Sequence, residues 1–361
     1  MKRRIILAGG GTAGHVEPAL AVADALRKLA PDINCQFIGT NSGLEKNLVP
    51  RRNYELKTIP KVALPRRISM ALFKFPFQFI GAVIAAGRIS KGASALVGFG
   101  GYVSAASYIA AKMNRVPIII HEANAKPGWA NRLGRRFATV TAVNFFSVSK
   151  SWSDSVLTGM PIKKEIAELS VLDSNKRSQL RSQYLEKLGF HPDVPVVAVF
   201  GGSQGSRAIN KAIAGFLTGK KSNQLQIIHA LGPLNDLPPA TDNYYPMAYF
   251  EDMASIYLIA DLLVTRSGAV TCAEIQSTNS RAILVPLPHG NGEQFSNALE
   301  LEGQGFAKIV NERELSGTWL IENLLNCITE LRERSAEINK LHLQAADKIA
   351  ELVLNCLRDA S

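Results

Sequence analysis

The sequence predicts an α/β protein made of two doubly wound parallel-sheet domains, and three observations carry that prediction. Arg4-Ile5-Ile6-Leu7-Ala8 runs into Gly9-Gly10-Gly11-Thr12-Ala13-Gly14-His15, and Val194-Pro195-Val196-Val197-Ala198-Val199-Phe200 runs into Gly201-Gly202-Ser203-Gln204-Gly205-Ser206-Arg207. Each is a short apolar run, a glycine turn and then a helical pattern, so bare backbone N–H groups gather at a helix N-terminus, where phosphate binds. Short apolar runs then alternate with helical patterns along both halves, as parallel sheets covered by helices require. Finally, 361 residues suit two domains better than one, and an apolar share of 47% gives each half a core.

In the first half the patterning predicts strands near 3–8, 33–39, 55–59, 95–99, 116–121 and 138–143, and helices near 17–29, 68–90, 103–113 and 127–136. In the second half it predicts strands near 194–200, 225–230, 261–265, 281–286 and 306–310. Helices there fall near 205–216, 252–260, 268–277, 292–303 and 317–333. Segment 151–190 is polar and contains Gly159-Met160-Pro161, which places the linker near 160–165. From about 335 to 357 the pattern is one long amphipathic helix without Gly or Pro.

The net charge of +11 is uneven: residues 1–160 carry 22 Lys/Arg against 7 Asp/Glu, and the remainder 19 against 23. A basic half speaks of partners rather than fold, and nucleic acid, anionic lipid and a phosphorylated substrate all satisfy it. Cys35, Cys272, Cys327 and Cys356 are scattered, which argues for reduced thiols in a cytosol and against a zinc site. The apolar run after Met1-Lys2-Arg3-Arg4 is too short for a signal peptide. Between 61 and 80, bases (Lys61, Arg66, Arg67, Lys74) mix with four phenylalanines at alternate positions, Phe73, Phe75, Phe77 and Phe79. Lys74, Pro76 and Gln78 speak against a membrane span; a surface segment at a membrane interface fits, and a core helix with a solvated end is the alternative.

Gly9-x-Gly11-x-x-Gly14 has the spacing of a dinucleotide fingerprint, but the second strand ends Phe37-Ile38-Gly39-Thr40-Asn41 without the carboxylate that would hold a ribose. The glycines serve either phosphate approach or only a tight turn. His15, beside the last glycine, suits a general base on a hydroxyl or a structural, helix-capping role. Ser267-Gly268 after the strand at 261–265 makes another helix N-terminus suited to a diphosphate. Glu274, farther into that helix, has the choice of sugar hydroxyls or the helix dipole. Loops Pro288-His289-Gly290-Asn291-Gly292-Glu293-Gln294 and His121-Glu122-Ala123-Asn124 also follow strands, at the edge where ligands of such sheets gather. No Asp-x-Asp pair and no P-loop occur, so a diphosphate falls to helix N-termini and neutral or basic side chains.

These motifs resemble the signatures of the MurG family of bacterial N-acetylglucosaminyltransferases. The residues concerned are Gly10–Pro18, Gly98–Ser104, His121–Asn124, Gly201–Arg207 and Arg266–Ala269, in the family's order. The resemblance implies a GT-B fold, two Rossmann-like doubly wound domains facing a deep cleft. Residues 1–162 would bind acceptor and membrane, 163–335 would bind UDP-N-acetylglucosamine, and 336–361 would form a helix packing back on the first domain. It implies inverting, metal-independent transfer, without a cofactor, of N-acetylglucosamine to the C4 hydroxyl of the muramyl sugar of undecaprenyl-linked lipid I, giving lipid II. His15 would be the base. Thr12, Ala13, Gly14, Asn124, Lys163, Ser203, Glu251, Ala269, Val270, Glu274, Glu293 and Gln294 would hold the donor. Gly10, Gly11, Gly100, Gly101 and Tyr102 would receive the acceptor diphosphate. The protein would sit on the cytoplasmic side of the cell membrane through about 64–80, within a cell-wall synthesis complex and without nucleic acid. Two positions depart from the family pattern: Lys163 stands where many members have Arg, and Glu293 where many have Gln. Another UDP-sugar enzyme of the same fold, a lipid glycosyltransferase or a 2-epimerase, is the alternative. So is a non-catalytic basic protein, which leaves the ordered glycine turns unexplained.

Overall fold

The computed structural model describes residues 3–62, 70–219, 224–337 and 340–359. The chain divides into two compact units, Met1–Ile162 with Leu341–Ser361, and Lys163–Lys340.

The first unit runs β1 (Arg4–Ala8), α1 (Ala13–Leu29), β2 (Asn34–Gly39), α2 (Glu45–Arg51), β3 (Glu55–Thr58), α3 (Met70–Ser90), β4 (Ala95–Gly98), α4 (Gly101–Met113), β5 (Ile118–Glu122), α5 (Trp129–Gly134), β6 (Val140–Val143), α6 (Phe146–Ser151) and β7 (Val156–Leu157). Its strands lie in the order β3-β2-β1-β4-β5-β6-β7, all parallel. β1, β4 and β5 are buried along nearly their whole length, which is why they read as unbroken apolar runs.

The second unit runs α7 (Lys164–Leu169), α8 (Ser174–Leu188), β8 (Val196–Phe200), α9 (Arg207–Leu217), β9 (Gln226–Ala230), β10 (Tyr244–Met247), α10 (Met253–Ile259), β11 (Leu262–Thr265), α11 (Ala269–Thr278), β12 (Ala282–Leu284), α12 (Glu293–Gly303), β13 (Ala307–Ile309) and α13 (Gly317–Glu333). Its sheet is β10-β9-β8-β11-β12-β13, again all parallel. In both units the winding reverses beside the first strand, between β1 and β4 and between β8 and β11. Open α/β sheets bind ligands at the carboxyl ends of such a pair. The glycine turns stand there.

Most expected elements lie within two residues of the observed ones, and the exceptions have physical causes. α1 begins at Ala13, not near 17, with Pro18 inside it; Thr12 accepts from the N–H groups of His15 and Val16. Proline favours a first helical position, which drew the predicted start too late. Gly14 and His15 thereby belong to the helix's first turn.

The segment 151–190 is not merely a polar connection, for it holds β7, α7 and α8. α8 buries only Leu185 fully, so no apolar stripe marks it, although Asp173 caps its start and Gly189 ends it at φ +69°. β10 was missed because Pro246 interrupts it, which the sheet tolerates because β10 is an edge strand.

The expected helix over 335–357 begins only at α14 (Ala345–Asp359), after a 3-10 turn at Lys340–Gln344. That turn buries His342, whose Nδ1 accepts from the Met160 N–H at 3.0 Å. The amphipathic spacing carries no sign of that need. α14 then packs Ile349, Ala350, Val353 and Leu357 into the same core as β1, α1 and β2. Ile349 has no exposed surface, so Ile349→Ala should lower the first unit's stability by about 2–5 kcal/mol. Denaturant unfolding followed by a probe in that unit measures this.

Candidate active site

In the first unit, β1 ends in a turn where Gly11 takes φ +88°. His15, in the first turn of α1, places Nδ1 3.3 Å from the Gly10 carbonyl and 3.2 Å from the Thr12 hydroxyl. A carbonyl only accepts, so the Gly10 contact favours the tautomer with the proton on Nδ1 and the lone pair on Nε2. Burial holds the imidazole below its ordinary value of 6.5, against the Gly10 bond and the charge of Glu45, which raise it. The ring is neutral at neutral pH. A Cβ on Gly100 would stand 3.4 Å from Nε2, and one on Gly101 3.5 Å from Cε1, so the two glycines of the β4–α4 turn leave the ring's open edge clear. Both have positive φ, +95° and +76°. Gly100 precedes α4 without a side-chain cap, leaving the first N–H groups of that helix, at Gly101 and Tyr102, open. The Ser104 hydroxyl, 2.8 Å from the Ala8 carbonyl and 2.7 Å from that of Gly100, ties the two turns together.

One carboxylate at this edge went unseen in the sequence. Glu45, fully buried at the start of α2, accepts from the Gly11 N–H at 2.8 Å and from the N–H and hydroxyl of Thr40 at 2.8 and 2.7 Å. The Gly11 N–H is therefore committed to protein. The expected carboxylate after the second strand is absent at 37–41 but present at 45, turned into the first glycine turn rather than outward to a ribose. Spacing from the end of β2 was the available signal.

At the end of β5, Glu122 accepts from the N–H groups of Asn124 and Gly128 at 2.9 and 3.0 Å and from the Asn131 amide at 2.9 Å. The buried carboxylate builds the loop that presents Asn124. His121, pushed down to about 4 by burial, places Nε2 2.9 Å from the Gly159 carbonyl and is structural.

In the second unit, a Cβ on Gly205 would lie 1.9 Å from the Leu231 carbonyl oxygen, so only glycine fits where the β8–α9 turn crosses the chain after β9. Ser203 is half-buried in that turn. The α9 start is capped by Ser206, whose hydroxyl also accepts from Arg266 at 2.7 Å. Arg266 further donates to the Val285 carbonyl at 3.0 Å and pairs with Glu312, so it braces three loops.

α11 starts after Gly268 with no side-chain cap, leaving the N–H groups at Ala269 and Val270 as the open helix end of this sheet edge. The Ser267 hydroxyl donates to the Gln294 carbonyl at 2.8 Å, and Asn297 donates to the Ser267 carbonyl at 3.1 Å, docking α12 beside it. Gln294 Oε1 accepts from the Leu287 N–H at 3.0 Å. Glu293 folds back onto its own loop, accepting from the Asn291 N–H at 3.1 Å. Glu274, buried, accepts from the Tyr257 hydroxyl at 2.8 Å, and burial together with that carboxylate pushes the phenol well above its ordinary value. Phe250 packs edge-on against Phe200 with ring centroids 6.0 Å apart, which anchors the backbone before exposed Glu251. Lys163 precedes α7 as the first residue of this unit. Thus β1 and α1 gather Gly10, Gly11, Thr12, Gly14 and His15, with Gly100, Gly101 and Tyr102 adjoining. Ser203, Ala269, Val270, Glu274 and Gln294 share the edge of the second sheet. Among the described residues no group of three or more His, Cys, Asp or Glu gathers as metal ligands.

Comparison with known proteins fits this arrangement. Residues 5–143 match the family model of the glycosyltransferase family 28 N-terminal domain, and 196–353 match that of the family 28 C-terminal domain. Two matched halves, each on one of the sheets, define a family 28 glycosyltransferase. The UDP-N-acetylglucosamine--N-acetylmuramyl-(pentapeptide) pyrophosphoryl-undecaprenol N-acetylglucosamine transferase of Frankia casuarinae is 42% identical, with 100% of this chain and 96% of the relative covered. The protein of the same name from Streptomyces coelicolor is 40% identical over 90% of this chain and 89% of its own. MurG of Acinetobacter baumannii superposes with a TM-score of 0.71 at 26% identity, covering 98% of this chain and 99% of that one. The chain belongs to this MurG family. UDP-GlcNAc 2-epimerase from Neisseria meningitidis, with a TM-score of 0.69 at 16% identity over 98% of this chain and 100% of that one, shares the fold alone.

Tyr257→Phe should remove one hydrogen bond from buried Glu274 and cost about 1–3 kcal/mol. Thermal unfolding of the second unit reads the loss.

Proposed function

We propose that this protein transfers N-acetylglucosamine from UDP-N-acetylglucosamine to the C4 hydroxyl of the muramyl sugar of lipid I, forming lipid II. The observation that carries the reading is family membership at 42% identity over the full chain. The geometry then gives each group a task. His15 Nε2 takes the proton of the acceptor hydroxyl as it attacks the sugar carbon from the face opposite UDP, which inverts that carbon. The open N–H groups at Ala269 and Val270, with Ser203 beside them, stabilise the charge that grows on the departing diphosphate. Glu274 holds the ribose. The Gln294 NH2, its oxygen being engaged, offers itself to the donor sugar. The backbone at Glu251 reads the uracil, Lys163 adds a positive charge near the donor, and Thr12, Ala13, Gly14 and Asn124 supply further donor contacts. Glu293 contributes by shaping its loop. The acceptor diphosphate goes to the α4 end at Gly100, Gly101 and Tyr102, flanked by Gly10 and Gly11. These donors and charges make the chemistry independent of a metal.

The first test is transfer of labelled N-acetylglucosamine to a short-chain lipid I analogue with EDTA present. The wild type should retain full activity. His15→Ala should lose about 10²–10⁴-fold in kcat with UDP affinity kept. Because burial lowers the imidazole pKa, the acid limb of the wild-type rate should lie below pH 6.5. Loss of activity in EDTA would refute metal independence, and undiminished kcat in His15→Ala would refute the base.

Among the described residues no helix is long and apolar enough to cross a membrane. Residues 63–69 of the basic, phenylalanine-rich segment lie outside the described residues. On α3, Phe77, Ile80 and Ile84 are exposed at helical spacing, with exposed Lys74 and Arg88 toward the two ends. Phe75 and Phe79 stack with centroids 5.8 Å apart and pack against the core. We assign the exposed face to the cytoplasmic surface of an anionic cell membrane, where apolar residues enter the headgroup boundary and bases meet lipid charge. Phe77→Ser with Ile80→Ser should abolish sedimentation with anionic liposomes while sparing UDP binding. Unchanged partitioning would remove the membrane assignment.

A further inference from the structure

The Gly10–Gly11 peptide group is gripped on both sides. Its carbonyl accepts from His15 Nδ1 at 3.3 Å, and its N–H donates to Glu45 Oε2 at 2.8 Å. The carboxylate and the imidazole are thus joined through one rigid, planar peptide. Three glycines make room for that carboxylate. A Cβ on Gly10 would stand 2.7 Å from Glu45 Oε1, one on Gly39 2.5 Å from its Cγ, and one on Gly43 2.0 Å from its Oε2. Glu45 has no exposed surface, and its partners are the Gly11 N–H and the N–H and hydroxyl of Thr40. Among the described residues no cationic side chain pairs with it. A buried carboxylate held by neutral donors alone is costly, and its field acts on what lies behind those donors. Behind the Gly11 N–H lies the carbonyl that holds His15.

We propose that Glu45 is a positioning residue for the transfer reaction. Through the Gly10–Gly11 peptide it fixes His15 as the Nδ1–H tautomer and stabilises the imidazolium formed when Nε2 takes the acceptor's proton. A carboxylate on the N–H of a peptide polarises it and makes its carbonyl a stronger acceptor, so the two hydrogen bonds reinforce one another. The arrangement has the logic of a carboxylate–histidine pair with a peptide group interposed. No bond is made or broken at Glu45; the proton passes from the acceptor oxygen to Nε2, and Nδ1 keeps its own. The direction of Glu45's influence on His15 is toward higher basicity. Tyr102 of α4, hydrogen-bonded to Thr40 on the other side of the carboxylate, is the next titratable group, and burial keeps it protonated.

The inference rests on His15 being the base, so the experiment measures both. Full-length wild type, His15→Ala, Glu45→Gln and Glu45→Asp are assayed with UDP-N-acetylglucosamine and the short-chain lipid I analogue across pH. Glu45→Gln keeps the shape and removes the charge. It should lower kcat by about tenfold or more, leave the donor KM within about twofold, and move the acid limb to lower pH. Glu45→Asp, which keeps the charge, should restore part of kcat and return the limb toward the wild-type position. A Glu45→Gln enzyme with unchanged kcat and limb, beside an inactive His15→Ala, overturns the role of Glu45 and leaves the base intact. An active His15→Ala overturns the base itself. A lower kcat with an unmoved limb and a lowered melting temperature marks Glu45 as structural only and overturns the proposal. Nitrogen NMR of His15 in the wild type decides the matter if Glu45→Gln does not fold. An Nδ1–H tautomer at neutral pH supports the proposal, and Nε2–H overturns it.

Discussion

Where a parallel sheet is wound outward in both directions from its first strand, the helices after the two central strands leave on opposite faces and their loops part. That parting happens beside β1 in the first unit and beside β8 in the second. A right-handed crossover is nearly obligatory for parallel strands, so the order 3-2-1-4 fixes where the gap opens. The groups proposed to take the proton and to stabilise the leaving diphosphate follow from that placement, while Asn124, Glu251 and Gln294 follow β5, β10 and β12. His15 and the turn at 9–14 follow β1, and Gly100 and Gly101 follow β4. Ser203 follows β8, and Ala269, Val270 and Glu274 follow β11.

A gap lined by helix starts still needs a backbone that can approach a ligand and hold its shape. Glycine provides the approach and buried polar side chains provide the shape. Gly205 is required because the Leu231 carbonyl lies against it, and Gly100 because φ is +95°. Ser104, Glu122, Arg266 and Ser267 then tie those turns to neighbouring loops. Most of these bonds run from a buried side chain to a backbone atom, the kind that fixes a loop without a regular ladder. The turns are therefore preorganised, as stabilising a leaving diphosphate requires.

Two helix starts at the edge of the second sheet differ in their capping. α9 has a side-chain cap, the Ser206 hydroxyl accepting from the Ile209 N–H, whereas α11 has none ahead of Ala269 and Val270. Arg266 stands between them but is occupied by Ser206, Glu312 and the Val285 carbonyl. Its charge braces the site rather than offering a free fork to phosphate. In the first unit the same division holds: Gly11 is bound to Glu45, and α4 keeps its donors.

Much of this was legible in the chain. Buried parallel strands write themselves as continuous apolar runs and helices as periodic ones, so both sheets and the glycine turns could be located. Motif order further pointed to the family, and through it to the roles proposed for His15, Ser203, Glu274 and Gln294. Elements whose stability comes from neighbours rather than from their own pattern stayed hidden: α8 with one fully buried residue, the edge strand β10 and the start of α14. So did Glu45 and Tyr257, whose significance lies in what they touch across 34 and 17 residues. The sequence by itself determined the class of fold, the strand-end turns and the residue types at them, because these depend on local periodicity and backbone freedom. Only the tertiary structure decided which N–H groups are already spent, which carboxylate lies behind the imidazole and which carbonyl sets its tautomer. The first two follow from hydrogen bonds between segments far apart in the chain, as between Gly11 and Glu45, and the third from the folded shape of the 9–15 turn, on which residue pattern leaves no mark.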